Sequence, residues 1–351
     1  MKKKLGAQQM LNIRERMEYY RITGLSIVAI EKGKISKKEH FGVLEAGTDK
    51  LVNEHSIFNA CSISKFLTSI LVIKFVEQGI VDLDEDVNKK LVSWKVPDNP
   101  LTKHKKVTLR NLLCHQSGIV DPEGSFIELE SFNEIPSMVE ILNGTTSYCP
   151  TSIEVTYEPE SEFHYSDAGF CLIQLLLEDI TKKPFSYLMD TFIFKPLSMT
   201  NSTFSTSLST SNLDNFACGH DQNGAVIPGK HSIYPYIAAC GIWTTPSDLA
   251  KLLLDIMNAV KGQSKIGITS KQVQELFHQQ GCKEWTSLGV FLDGTDDNLE
   301  FSSLGWGVGF QCMLVAYPYL EQGLVMMTNT DTGMHQLKGI MGEIYRSLSY
   351  Y

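Results

Sequence analysis

Two signals that would place this chain at a membrane are missing from its 351 residues. Its apolar runs, such as SILVIKFV, contain charge and fall short of the roughly 20 residues that a bilayer-spanning helix needs. The N-terminus starts with the basic residues MKKK but lacks the apolar run and small-residue cleavage site of a secretory signal peptide. We therefore expect a cytoplasmic protein without a membrane partner, although a chain trimmed of its leader would leave the same pattern.

An excess of positive charge is also missing. The chain has 31 lysines and arginines against 40 aspartates and glutamates, so its formal net charge is -9. Such a balance argues against binding to nucleic acid, whose phosphates are recognised by basic surfaces. We expect no nucleic-acid partner. Nothing in the composition indicates an oligomeric state.

The cysteines and histidines lack the spacing of a metal site. The eight cysteines are scattered, include no CxxC pair, and lie mostly in apolar surroundings, which predicts buried free thiols. Four histidines show no metal-ligand spacing and are interpreted as packed or surface residues: His115, His164, His220 and His231. The sequence therefore predicts neither a metal nor another cofactor.

What the chain does contain is the composition of a globular protein, with 43% hydrophobic and 20% charged residues. Strand-like segments lie near both ends and helical periods fill the middle, so we predict an α/β (α+β) fold. In this fold the terminal segments share an antiparallel sheet flanked by helices. Residues 1–60 and 241–351 would form the sheet-and-helix body, residues 61–240 a mostly helical region, and the functional site would lie between them.

Local patterns predict several individual elements. GLSIVAIEKGKISKKEHFGVLE is expected to form a hairpin with a Gly-Lys turn. VTLRNLLCHQSG is expected to form a short helix with Thr108 as its N-cap and Gly118 as its stop. Further helices are expected over Gln8–Tyr20, after Lys65 through Glu77, and roughly from Met334 to Leu348.

The segment FNACSISKFLTSILVIKFVEQG places a lysine in the first turn of an apolar helix. Ser62 and Lys65 are three residues apart and share one helix face. A serine hydroxyl is a weak nucleophile until a base removes its proton, and a lysine of lowered pKa can be that base. The helix N-terminus adds partial positive charge that favours an alkoxide. The alternative is Ser62 as a helix cap and Lys65 as a surface lysine.

Four blocks in this order resemble the serine β-lactamase and penicillin-binding-protein superfamily, specifically its class C β-lactamase-related branch of esterases, D-amino-acid peptidases and acyltransferases. FNACSISKFLTSILVIKFVEQGIVDLDEDV is similar to the nucleophile region of that branch, and VTLRNLLCHQSGI to its T-x-x-x-L-L-x-H-x-S-G segment. HYSDAGF resembles its Tyr-x-Asn block, and YIAACGIWTTPSDLAKLL its G-x-x-x-(S/T)-x-x-D-L helix entrance. The resemblance covers most of the chain and implies a β-lactamase/transpeptidase-like fold.

The resemblance also implies a role for a tyrosine opposite the serine and lysine. In this branch such a tyrosine is the general acid and base, and by position it is Tyr165 here, with Lys65 supplying the positive charge it needs. Asp167 stands where the family usually has asparagine. A carboxylate there would raise the pKa of Lys65, which favours Tyr165 as the proton shuttle or a substrate that offers a donor to Asp167. The alternatives are a core tyrosine and an Asp167 that only balances Lys65.

At the third motif, this sequence departs further from the family's pattern. Alignment of FSSLGWGVGF with the form F-G-H-x-G-W-x-x-G-F places Ser303, Leu304 and Gly305 at the motif, so the glycine is kept while the cation and hydroxyl that bind a substrate carboxylate are lost. Recognition of penicillin or D-alanyl peptides is therefore in doubt. The amides of Ser62 and Trp306 would form the oxyanion hole. The alternative for Gly305 is a bend in an edge strand.

Together these residues predict a serine hydrolase that cleaves a small-molecule ester or amide through a Ser62 acyl-enzyme. Ser62, Lys65 and Tyr165 are the expected catalytic residues, and the substrate-binding residues are Asp167, Ser303, Leu304 and Gly305. One alternative is an acyltransferase that passes the acyl group to an acceptor other than water. Another is a catalytically silent binding protein on the same fold.

Overall fold

A computed structural model describes residues 11–129, 135–206 and 213–348 of the chain. Its central feature is a six-stranded sheet in the order β2-β1-β8-β7-β6-β5, in which every neighbouring pair is antiparallel. A two-stranded ribbon joins β3 to β4. The strands are β1 (Gly24–Glu31), β2 (Lys34–Gly42), β3 (Phe58–Asn59), β4 (Trp243–Thr244), β5 (Phe291–Asp293), β6 (Glu300–Gly307), β7 (Phe310–Tyr317) and β8 (Gln322–Thr328).

Helices cover both faces of the sheet and fill the middle of the chain. They are α1 (Ile13–Tyr20), α2 (Ile63–Glu77), α3 (Leu109–Leu113), α4 (Met138–Leu142), α5 (Asp167–Thr181), α6 (Phe185–Met189), α7 (Lys195–Leu197), α8 (Ile237–Cys240), α9 (Pro246–Val260), α10 (Ser270–Glu275) and α11 (Ile340–Leu348). Short 3-10 turns lie at Val87–Lys89, Pro100–Thr102, Asp296–Asn298 and Gln336–Lys338, and a π-helical turn at Asp190–Phe194.

The sheet separates two hydrophobic clusters. On one face, α1 and α11 cover a small cluster that includes Met17, Leu25, Met326 and Ile344. The opposite face packs against α2, α9 and the helical region, which form the large core. The alternation of strand β6 follows this division, because Phe301, Ser303 and Gly305 are buried while the intervening residues are more exposed.

Helix α2 lies inside the large core. Twelve of its 15 residues are buried, as expected of a helix that is apolar on all sides. It contacts α8 and strand β6, so its N-terminus lies between the sheet and the helical region. The predicted helix through Glu77 is confirmed. It positions Ser62 at the point where two layers of the fold meet.

The predicted fold class is confirmed. The sheet combines strands from both ends of the chain, since β1 pairs with β8 along Leu25 to Ile30. The hairpin is also present, but its turn residues are Lys32 and Gly33, with φ of 50° and 67°, instead of the predicted Gly-Lys pair. Two successive left-handed residues match the right-handed twist of the flanking strands. The division into residues 1–60 plus 241–351 and 61–240 stays a prediction.

Two helix boundaries differ from the predicted ones. Thr108 caps α3 through a reciprocal capping box with Asn111, as predicted, but the helix ends at Leu113 and not at Gly118. Helix α11 begins at Ile340, after a 3-10 turn and Gly339, and not at Met334. The start of the predicted Gln8–Tyr20 helix lies outside the described residues, which have α1 from Ile13.

Candidate active site

A strained turn presents Ser62 at the N-terminus of α2. Cys61, immediately before it, has a left-handed φ of 49°, which is uncommon for a residue other than glycine. The buried side chain of Asn59 fixes this turn: its Oδ1 accepts from the Cys61 N–H at 2.8 Å, and its Nδ2 donates to the Ser232 carbonyl at 2.8 Å. Ser62 occupies the cap position, yet its hydroxyl makes no capping hydrogen bond, which leaves Oγ available for the site.

Lys65 reaches Ser62 from inside the protein. Its Nζ donates to Ser62 Oγ at 3.3 Å and to the Ala239 carbonyl at 3.1 Å. Lys65 is 2% exposed, so the alternative of a surface lysine is wrong. The carbonyl of Ala239 is positioned by α8, which packs on α2.

Asp167 is the charged partner of Lys65. Its Oδ1 lies 2.5 Å from Lys65 Nζ, and its side chain is 22% exposed. Burial on its own lowers the pKa of Lys65, but the nearby Asp167 carboxylate and the Tyr165 phenol outweigh burial and raise that pKa above its ordinary value. The ammonium is therefore the resting form of Lys65 at neutral pH.

Tyr165 lies against the same ammonium. Lys65 Nζ is 4.8 Å from the centroid of the Tyr165 ring, within cation–π distance. Burial of the phenol raises the pKa of Tyr165, Lys65 lowers it, and Asp167 raises it, with a net increase. The neighbouring Lys65 and Ser62 side chains also favour the ionised form of the phenol. The three residues Ser62, Lys65 and Tyr165 thus lie together, as the sequence predicts.

Asp121 supports the turn that carries Tyr165 and Asp167, and the sequence analysis did not identify it. Its Oδ1 accepts from Ser166 Oγ at 2.8 Å and from the Ala168 N–H at 3.0 Å, and its Oδ2 accepts from the Asp167 N–H at 2.7 Å. This carboxylate therefore covers the N-terminus of α5, where unpaired N–H groups favour negative charge. Burial and the neighbouring Asp167 raise the pKa of Asp121.

The third motif lies along strand β6, beside the nucleophile. Ser303 is 4% exposed and faces the site, whereas Leu304 also packs against the small cluster on the other face of the sheet. A Cβ atom on Gly305 would lie 2.2 Å from the Ala60 carbonyl oxygen, so only glycine lets β6 approach the turn before Ser62 this closely. The Trp306 side chain points away, and its Nε1 donates to Asp331 Oδ1 at 2.8 Å.

A hollow of about 10 Å³ joins the nucleophile to the third motif. Such a volume holds roughly one water molecule. Its lining residues are Ser62, Lys65, Cys114, His115, Tyr165, Thr286, Ser287, Gly289, Val290, Phe291, Ser303 and Leu304. The structure therefore brings Ser303 and Leu304 to the predicted catalytic residues. The position of the family's third-motif cation is occupied by Ser303, whose side chain has no charge.

The cysteine side chains are mostly buried free thiols, as the sequence predicts. In the part of the chain that the structure describes, every cysteine is a free thiol, and all are buried except Cys282. Within the same ranges, no three His, Cys, Asp or Glu side chains come together as metal ligands would. His115 and His220 are buried, which agrees with their interpretation as packed residues.

The sequence model of the family described as Beta-lactamase matches residues 11–339, nearly the whole chain. The chain belongs to the beta-lactamase family. The predicted superfamily is thereby confirmed. Protein flp of Staphylococcus aureus is 22% identical over 320 residues, which cover 89% of this chain and 60% of that protein. The chain thus spans about 60% of the length of the curated relatives it matches first.

Solved structures of beta-lactamase family proteins have the same fold. The octameric penicillin-binding protein homologue from Pyrococcus abyssi superposes with a TM-score of 0.75 at 19% identity, covering 96% of this chain and 76% of that chain. A beta-lactamase/D-alanine carboxypeptidase from Yersinia pestis in complex with citrate gives 0.74 at 18% identity, covering 95% of both chains. At these identities the likeness establishes the fold alone. Among the described helices, none combines the length and the apolar character needed to cross a bilayer.

Proposed function

We propose that this beta-lactamase family member is a serine hydrolase that cleaves a neutral ester or amide of modest size through an acyl-enzyme on Ser62. The observation that carries the proposal is the contact of the buried Lys65 ammonium with Ser62 Oγ at 3.3 Å, with Tyr165 against the same ammonium. A buried lysine is costly unless it has a partner or a task. Here its contacts are a carboxylate, a serine hydroxyl and a tyrosine, which suit acyl transfer.

The protonation state of Lys65 at neutral pH indicates which residue is the base. With the pKa of Lys65 raised by Asp167, the lysine keeps its proton and provides positive charge. Tyr165 is then the group that exchanges protons with substrate, and the reactive form is the one in which the phenol has lost its proton to solvent. Because the pKa of Tyr165 is also raised, this form is a minor one at neutral pH and grows as the pH rises.

The chemical steps follow from this assignment. The Tyr165 phenolate takes the proton of Ser62 Oγ as that oxygen attacks the substrate carbonyl. The tetrahedral intermediate collapses, the C–O or C–N bond to the leaving group breaks, and Tyr165 returns the proton to the leaving group. Water then attacks the acyl-enzyme with Tyr165 again as base, and the proton passes to Ser62 Oγ when the acid product leaves. Lys65 stays charged throughout and stabilises the phenolate.

The developing oxyanion needs hydrogen-bond donors, and we assign these to the amides of Ser62 and Trp306. The Ser62 amide belongs to the unpaired donors at the N-terminus of α2. Gly305 brings β6 against the Ala60 carbonyl, which keeps the Trp306 amide near the nucleophile turn. One such donor contributes about 2.7–4 kcal/mol to the transition state.

The expected substrate lacks a carboxylate next to the scissile bond. Ser303 and Leu304 stand where other members bind that carboxylate, and neither side chain has a positive charge. Each lost charge-assisted hydrogen bond removes about 1.5–3 kcal/mol. Neutral esters and amides depend only on attack, proton transfer and the oxyanion donors, so they remain suitable substrates.

Active-site labelling tests the proposal. The wild-type protein is treated with a fluorophosphonate, and the modified residue is located by intact-mass and peptide mass spectrometry. We expect one label per chain, on Ser62, and none in Ser62→Ala with an unchanged melting temperature. Ser64→Ala is the matched control, because Ser64 lies in the same helix turn but donates to the Cys61 carbonyl at 2.6 Å. Labelling of Ser64 or Ser166, or of no serine, would contradict the mechanism.

A further inference from the structure

His115 contacts three consecutive residues of the turn that carries the proposed base. Its carbonyl oxygen accepts from the His164 N–H at 2.9 Å, and its Nδ1 accepts from the Ser166 N–H at 3.1 Å. Between these two bonds, its imidazole stacks on the Tyr165 ring, with centroids 4.3 Å apart and planes inclined by 26°. One residue thus fixes the backbone on both sides of Tyr165 and one face of its ring.

The protein holds His115 itself rigidly. The residue follows α3, is 6% exposed, and has a left-handed φ of 59°. Its N–H donates to the Leu112 carbonyl at 3.2 Å. Such a conformation in a non-glycine residue is kept only where the surroundings enforce it, and it is concentrated at functional sites.

The imidazole is a neutral acceptor. Because Nδ1 accepts a backbone N–H, any ring proton is on Nε2. Burial and then the nearby Lys65 lower the pKa of His115 to about 3, so the ring does not titrate near neutral pH. An imidazolium would repel Lys65 and lose the bond to Ser166. His115 therefore offers shape and one lone pair, not proton transfer.

Tyr165 needs such support, because the residue as a whole is 42% exposed even though its neighbours desolvate the phenol. An error of about 1 Å in the position of a reacting group lowers rates by about 10²-fold. The contacts of Asp121 restrain only the residues that follow Tyr165. The contacts of His115 include the ring of Tyr165 itself.

We propose that His115 is a positioning residue for Tyr165, acting through the ring stack and through its bonds to the backbone of His164 and Ser166. This inference rests on the proposed function, since it assumes that Tyr165 moves the proton. It predicts that changes at residue 115 affect the rate of the chemical step, and that they do so only while Tyr165 has its hydroxyl.

Two substitutions separate the contacts and tolerate the left-handed backbone. His115→Asn keeps an acceptor at the position of Nδ1 and removes the ring, whereas His115→Gly removes both. We expect labelling by a fluorophosphonate to slow about tenfold in the first and about 10²-fold in the second. For hydrolysis of 4-nitrophenyl acetate, kcat should fall while KM stays within about twofold. His40→Asn is the control and should leave the rate unchanged, because His40 lies on strand β2, with its Nδ1 2.9 Å from Ser26 Oγ.

The decisive measurement repeats both substitutions in a Tyr165→Phe background. Phenylalanine keeps the ring and lacks the hydroxyl, so the further effect of His115→Gly should shrink to about twofold or less. An equal loss in both backgrounds, or an unchanged rate in folded single variants, would overturn the inference. Failure of the proposed function gives a different result: wild-type protein that is not labelled at Ser62, or Tyr165→Phe with full activity.

Discussion

The ammonium of Lys65 lies 2.5 Å from the carboxylate of Asp167, which enters the site from the first turn of α5. An asparagine is usual at this position in the branch that the sequence resembles, so this chain adds a negative charge next to Lys65 and Tyr165, the proposed proton-transfer groups. That charge raises the pKa of both Lys65 and Tyr165. If Tyr165 is the base, we therefore expect activity to rise towards alkaline pH.

Asp167→Asn should therefore shift the acidic limb of the profile of kcat/KM against pH to lower pH. Removal of the carboxylate lowers the pKa of Lys65 and of Tyr165, so the deprotonated base is populated at lower pH and the rate at pH 7 rises relative to that at pH 9. Ester hydrolysis between pH 5 and 10 measures the effect. Asp98→Asn removes an exposed Asp–Lys pair, with Lys106 at 3.0 Å, and should leave the profile unchanged. If the acidic limb of the Asp167→Asn profile does not shift, Asp167 has no influence on the proton transfer.

Tyr165→Phe and Lys65→Ala should each lower kcat by about 10²–10⁴-fold, as expected of groups in general acid–base catalysis. The double variant should be hardly slower than the worse single variant, because the two side chains act as one unit. Lys74→Ala is the matched control on the same helix, since its ammonium bonds to the Gly267 carbonyl at 3.4 Å, away from Ser62. Losses that multiply in the double variant would assign one of the two residues a separate structural role.

Benzylpenicillin should acylate Ser62 slowly or not at all, while neutral esters react. Ser303→Lys combined with Leu304→Thr should restore the cation and hydroxyl, and improve the reaction with anionic substrates more than with neutral ones. Because Ser303 is 4% exposed, added salt should reduce the gain only slightly. Acylation is followed by intact mass over time. Rapid hydrolysis of penicillin by the wild-type protein would mean that another residue binds the carboxylate.

Gly305→Ala should impair both stability and acylation. The added Cβ would lie 2.2 Å from the Ala60 carbonyl oxygen, so β6 or the turn before Ser62 must move. We expect a loss of about 1–3 kcal/mol in the free energy of unfolding, as for other overpacked sites, and slower labelling of Ser62. Denaturant unfolding measures the first. In Gly169→Ala, on α5, the nearest atom would be 3.6 Å away, and this control should keep full stability. Equal results for the two variants would show that β6 has room to adjust.

Water and other acceptors are distinguished by product analysis. The protein is incubated with a neutral ester and increasing concentrations of a small alcohol or amine. Tyr165 would activate water and these acceptors by the same proton transfer. A hydrolase should therefore yield mainly the free acid, the product of attack by the solvent itself. Chromatography with mass detection measures the ratio of acid to transferred product. A ratio that falls steeply at millimolar acceptor would favour the acyltransferase alternative.

The sequence predicts the parts of this fold that depend on local pattern. The long apolar run after Ser62 identifies α2, and the apolar residues from Gly24 followed by a glycine turn identify the hairpin. The expected alternation is absent from β1, because seven of its eight residues are buried. The resemblance of ordered blocks supplied Tyr165, which no local pattern marks. Helix ends were less predictable, since α3 stops at Leu113 and the chain continues through a left-handed residue, His115.

The supporting residues could not be predicted in the same way. Asp121 and His115 are far in sequence from the turn they hold, and their roles depend on how α3 and the following loop pack on α5. Asp121 has no motif of its own. The one signal for His115 is its place in the block LLCHQSG, and its spacing alone predicts only a packed or surface histidine. Contacts between single polar atoms that are far apart in the chain cannot be predicted from the local patterns of one sequence.

The pairing of β1 with β8 has a consequence for how the chain folds during synthesis. Leu25 pairs with Thr328, about 300 residues later, so β1 leaves the ribosome long before its neighbour exists. At about 5–20 residues per second, that interval is about 15–60 s. Strand β6, which borders Ser62, is linked to β1 only through β7 and β8. Ser62 is thus synthesised about 13–53 s before β8 is complete and the sheet beside it can form.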